Sequence, residues 1–175
     1  MQQIKGSVLK ARLAFVEELS GENALNEVLK ALPEEDRNQL SRILTVKWYP
    51  FETGKRLDDS IVKVLGHGKP EFFERLGAAS AEHNLGGIHS GFITPGNPEA
   101  FLEKAGPIYA LYYETGRREY RHTGEREGVL ITYDAETWSA PDCLTVVGWY
   151  RKALQMCGAR GVDIVEEECR AKGGK

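Results

Sequence analysis

The chain has 175 residues, 41% of them hydrophobic and 28% charged, with a formal net charge of -3. That is the composition of a single globular domain able to bury its own core, and it excludes a disordered chain. The negative balance gives no general attraction to phosphate backbones, so direct nucleic-acid binding is not expected. The start Met-Gln-Gln-Ile-Lys-Gly-Ser lacks an export signal and no run is long enough to span a bilayer, so the protein is expected in the cytoplasm with no membrane partner. Three cysteines, an odd number, argue for reduced thiols rather than a disulfide framework.

In chain order, Leu25, Val28, Leu29 and Leu32 line one side of a helix ended by Pro33. Pro33-Glu34-Glu35-Asp36 opens another carrying Leu40, Ile43 and Leu44, and the two make a helical hairpin. After the aromatic segment Trp48-Tyr49-Pro50-Phe51, a helix bearing Leu57, Ile61, Val62 and Leu65 ends at Gly66. Pro70 introduces a longer one with Phe72, Phe73, Leu76 and Ala79 inward, ended by Gly86-Gly87. Its run Gly77-Ala78-Ala79-Ser80-Ala81 permits close approach of a neighbouring helix, or space for a bound molecule. Pro98 starts a helix with Phe101, Ala105, Ile108 and Tyr112 on one face, kinked at Gly106-Pro107.

Beyond Gly116 the period changes. Glu119 to His122 and Val129 to Tyr133 read as two strands joined across Thr123-Gly124-Glu125. Arg117, Arg118, Arg121 and Arg126 surround Tyr120 and His122 there, as a solvated hairpin surface or as an anion-binding or partner-docking edge. A last helix, capped by Asp142, carries Val146, Val147, Tyr150, Leu154 and Cys157 and closes at Gly158. Val162 to Glu166 then alternates like a returning strand. Helices first and antiparallel strands later indicate one α+β domain over residues 1–175, with helices on one face of a small sheet formed mainly by the C-terminal half. Such a sheet is expected to continue past Gly173-Gly174, so the chain is expected to lack its last edge strand.

Cys143, Glu166 and Cys169 are a spaced set of metal-ligand types. Two thiolates and a carboxylate leave one position of a zinc tetrahedron open. Residues three apart on a regular strand face opposite ways, so Glu166 and Cys169 converge only if a turn or bulge begins between them. Taken by spacing alone, the cysteines also read as small apolar packing residues. Cys157 belongs to the packing group, about four turns or roughly 20 Å along the helix from Cys143.

Cys143, Gly148-Trp149, Leu154, Gly158-Ala159, Val162, Glu166, Cys169 and Gly173-Gly174 together resemble the C-terminal signature of 4-vinyl-reductase-type small-molecule-binding domains. The resemblance is best over the last 75 residues and weak before Gly66. The wider superfamily holds aromatic-sensor domains, haem nitric-oxide-binding domains and transport-particle subunits, and it implies a hydrophobic pocket between helices and sheet. It also implies zinc held by Cys143, Glu166, Cys169 and a fourth ligand beyond Lys175. Haem is not expected: the Tyr-x-Ser-x-Arg motif of the haem branch is missing at Tyr120-Arg121-His122 and at Tyr133-Asp134-Ala135.

No phosphate-cradling loop, nucleophile elbow or His-Glu-x-x-His is present, and catalysis is not expected. Phe72, Leu76, His89, Phe92, Tyr112 and Trp138 are instead expected to line a pocket for a small apolar or aromatic molecule, with His89 as a polar contact. The same residues equally make a filled core. The expectation is therefore a sensory, ligand-binding regulatory domain acting as a homodimer, or alternatively a non-catalytic dimeric assembly module.

Overall fold

The computed structural model describes residues 2–136 and 138–174. β1 (Gln3–Lys5) runs straight into α1 (Gly6–Lys30), and α2 (Glu34–Leu40) follows the Pro33 break. β2 (Trp48–Pro50) pairs antiparallel with β1, setting Ile4 opposite Tyr49. Gly6 is required at this junction, because a Cβ there would lie 2.3 Å from the Leu44 carbonyl oxygen. The first half of α1, which apolar spacing had not revealed, buries Val8, Leu9, Ala11 and Val16. Gly21, with φ 76 and ψ 178, breaks it from the second half, where Val28 is buried.

α3 (Phe51–Leu65) and α4 (Glu71–Gly86) stop at Gly66 and Gly87 as their glycines require. Two short helices, α5 (Pro98–Leu102) and α6 (Ala105–Tyr112), replace the single kinked one expected. The break falls at Glu103 and Lys104, and Pro107 then sits in the first turn of α6, where a missing N–H leaves no hydrogen bond unmade. β3 (Arg117–Gly124) and β4 (Glu127–Tyr133) form the predicted hairpin, with a register shift between His122 and Gly124. α7 (Ala140–Met156) closes the domain against α4.

The α4–α7 crossing is set by two glycines. A Cβ on Gly77 would come within 1.9 Å of the Thr145 carbonyl oxygen, and one on Gly148 within 1.9 Å of the Glu74 carbonyl oxygen. The small-residue run of α4 thus serves backbone-to-backbone contact. Phe101, Leu9, Leu57, Ile61, Leu76, Leu85 and Ile108 are sealed in the common core between these helices.

The α+β class and the packing of helices against small antiparallel sheets stand as expected. The strand expected at Val162 to Glu166 does not form. Val162, Ile164 and Glu166 do face inward and Asp163 and Val165 outward, but the segment pairs with no neighbour among the described residues. Periodicity reported which side chains turn inward; a strand also needs a ladder partner, which an alternating pattern does not specify.

Candidate functional site

The N-terminus of α7 is capped by Ser139, not by Asp142: the Ser139 hydroxyl accepts from the Asp142 N–H at 3.1 Å. Asp142 is used elsewhere, accepting from the Tyr113 hydroxyl at 3.1 Å. The first turn then presents Cys143, whose Sγ lies 3.4 Å from Sγ of Cys169. One ligand atom from each of Cys143, Glu166 and Cys169 lies within 4.8 Å of the others. No turn begins between Glu166 and Cys169; the segment is irregular rather than a strand, which lets them converge, and a single 3₁₀ turn over Arg170–Lys172 ended by Gly173 at φ 91 follows them. The N–H groups of Lys172 and Gly174 both donate to the Cys169 carbonyl, at 2.9 Å each.

Lys172 folds back so that its ammonium donates to Glu166 at 2.5 Å. Burial opposes ionisation of Glu166, but hydrogen bonds from Lys172 and the two thiols hold its pKa below the ordinary carboxylate value. Burial, with Cys169 and Glu166 beside it, pushes the Cys143 thiol up. The Cys143 thiol therefore keeps its proton unless a cation replaces it. A zinc tetrahedron places sulfurs roughly 3.8 Å apart, so a shift of a few tenths of an ångström would seat the ion between two sulfurs and a carboxylate oxygen.

A second feature lies farther along α7. Between α1, α4, α6, α7 and β3 is a cavity of about 40 Å³ whose walls include Arg12, Tyr109, Tyr112, Arg118, Trp149 and Tyr150. Arg12 is buried and paired with Asp58 at 2.9 Å, and it also donates to the Leu76 carbonyl at 3.3 Å. Trp149 and Tyr150 meet edge to face, with ring centroids 5.1 Å apart. Of the six residues expected to line a pocket, Tyr112 stands on this wall. His89 is one step outside, its Nδ1 2.8 Å from the Tyr112 hydroxyl, with Phe92 edge-on to its ring. Phe72 and Leu76 are core residues, Phe72 against Phe15 at 5.9 Å. Trp138 is 44% exposed and does not line the cavity.

The wall residues absent from the sequence reading come mostly from outside its apolar stripes. Arg12 lies in the unread part of α1, and Tyr109 and Tyr113 flank the expected Tyr112. Arg118 was visible as part of the hairpin arginine cluster, but alternation along β3 was the only hint that it turns inward while Arg117 faces solvent.

Two solved structures share this fold. One is an Fe(II) unliganded H-NOX protein, a mutant from K. algicida, matched with a TM-score of 0.66 and 12% identity over 88% of this chain and 83% of that one. The other, from work on modulating haem redox potential through protein-induced porphyrin distortion, matches with a TM-score of 0.66 and 12% identity over 89% and 86%. The fold is shared with these structures, and it is one of those that the resemblance at the C-terminal motif implied. The sequence itself matches no family profile and no curated protein.

The interior offers a porphyrin little. The cavity is far below the ~300 Å³ at which ligand pockets begin, and no histidine lines it. A larger hollow of about 620 Å³ is an open surface depression bounded by Glu34, Glu35 and Tyr49, again without histidine. His122 is ion-paired with Glu99, and His67 occupies a turn at φ 51. His89 is held towards its neutral form by burial and is engaged by Tyr112. None of these three histidines lines either hollow.

Proposed function

We propose that the chain is a small-molecule-binding regulatory domain of the 4-vinyl-reductase-like kind, non-catalytic and dimeric, with a zinc clasp at Cys143, Glu166 and Cys169. The observation that carries this reading is the aromatic and arginine-lined cavity built against α7, the same helix whose first turn supplies Cys143. The overall fold, shared with H-NOX proteins, supports it. A ligand at Trp149 and Tyr150 would press on the middle of α7. The clasp holds the N-terminal end of that helix to the tail of the chain, so occupancy and tail position are joined through one rigid element. At 40 Å³ the cavity accepts only a small group as it stands. Any larger ligand needs the ring walls of Tyr109, Tyr112 and Trp149 to move apart.

Thermal-shift screening of the purified chain against small aromatic and apolar molecules, followed by native mass spectrometry of the hits, tests the reading. Stoichiometric binding of at least one compound, with a raised melting temperature, is the expected result. A chain that binds none of them and releases no organic molecule on denaturation would instead be an assembly module with a filled core.

A further inference from the structure

We infer that the cavity between α7 and the hairpin is a carboxylate-recognition site, taking a small aromatic acid whose carboxylate is held by Arg118 and Tyr150. This deepens the small-molecule reading above and rests on it.

The two arginines on the cavity wall are in different states. Arg12 is neutralised by Asp58, its Nε 2.9 Å from the carboxylate. Arg118 has no such partner. Its Nε donates to the Thr132 hydroxyl at 2.8 Å, and its guanidinium carbon lies 4.9 Å from the centre of the Tyr109 ring and 5.4 Å from that of Tyr150. Among the described residues no carboxylate forms an ion pair with it. Asp142 feels its charge, but that carboxylate already accepts from the Tyr113 hydroxyl. A guanidinium stacked on rings keeps its in-plane N–H groups free for a planar acceptor, and a carboxylate matches that fork.

The second observation is independent of the arginine. Tyr150 is 3% exposed and lines the same cavity; its buried hydroxyl meets no partner in full hydrogen-bond geometry, and the Arg118 guanidinium beside it makes only a loose polar contact. Buried hydroxyls are almost always satisfied, and one left open on a cavity wall marks where an acceptor belongs. The cavity, little larger than the volume of one water, matches a carboxylate group in size. The neighbouring walls are the rings of Tyr109, Tyr112 and Trp149, which suit an aromatic body behind that group.

The experiment is calorimetric titration of the full chain with benzoate, phenylacetate and cinnamate, each beside its amide, with Trp149 fluorescence as a second readout. At least one acid is expected to bind, with its amide weaker by tenfold or more, since charge-assisted hydrogen bonds are lost. Tyr150→Phe keeps the ring and is expected to weaken the acid about tenfold while leaving the amide unchanged. Arg118→Gln should abolish the preference for acid over amide; if it fails to fold, Tyr150→Phe still decides. Equal affinity for acid and amide overturns the carboxylate assignment and leaves small-molecule binding standing. Failure of all three acids to bind, or acid binding indifferent to Tyr150→Phe, also overturns it, whatever a wider ligand screen finds.

Discussion

Two buried ionic contacts show how single side chains hold the helical half together. Asp36 is sealed beneath Arg56, receiving hydrogen bonds at 2.5 and 2.9 Å, and takes a third from Thr53 at 2.8 Å. The Arg56 hydrogen bonds, with help from Thr53, outweigh burial and hold its pKa below the ordinary value. Stability from this group is therefore complete above pH ~4 and is lost as pH falls through the lower, folded-state value. Asp36→Ala should cost about 1.5–3 kcal/mol at pH 7 and flatten the acid limb of the unfolding curve, as read by urea denaturation at pH 7 and pH 3. Asp58 is the opposite case, since burial raises its pKa despite the Arg12 charge. Its folded form holds a proton where the unfolded form has lost it, so this group favours folding on the acid side and that gain disappears as pH rises. Arg12→Met should cost about 3–5 kcal/mol at pH 7, by stranding a buried carboxylate, and visibly less as pH falls and Asp58 takes up a proton. A penalty independent of pH would contradict that account. Neither contact was legible in the sequence, because Arg12 and Asp58 are 46 residues apart and charge carries no periodic signal that names a partner.

At the scale of elements, helix identity was readable and helix placement was not. Apolar spacing with Pro and Gly punctuation located α3, α4 and α7 to within a few residues. The run at Gly77 announced a close approach, but the partner glycine on α7 was 71 positions away and could be matched only in the folded chain. Gly77→Ala or Gly148→Ala would drive a methyl group into the facing backbone at 1.9 Å, where no side chain can rotate away. Each should destabilise by about 1–3 kcal/mol or more through separation of α4 and α7, measured as a lowered denaturation midpoint with the slope unchanged. Gly86→Ala, open on every side, is the control and should change stability little. The C-terminal segment teaches the converse. Its alternation was read correctly and its pairing was not, because hydrogen-bonded neighbours are a tertiary property.

The whole molecule joins a fold to a clasp. If zinc seats between Cys143, Glu166 and Cys169, its removal by chelator should lower the melting temperature of the wild-type chain and leave that of Cys143→Ser unmoved; elemental analysis of both proteins checks the metal directly. A chelator effect equal in the two would exclude the clasp as the metal's seat. The α+β class, the hairpin and the three candidate ligands followed from sequence, because hydrophobic period, turn residues and ligand types are properties of local chain. The cavity, its unpaired Arg118 and unsatisfied Tyr150, and the crossing of α4 on α7 were decided only by tertiary structure. Each depends on which atoms face one another across the core, and that geometry arises from packing the helices and the antiparallel strand pairs at once.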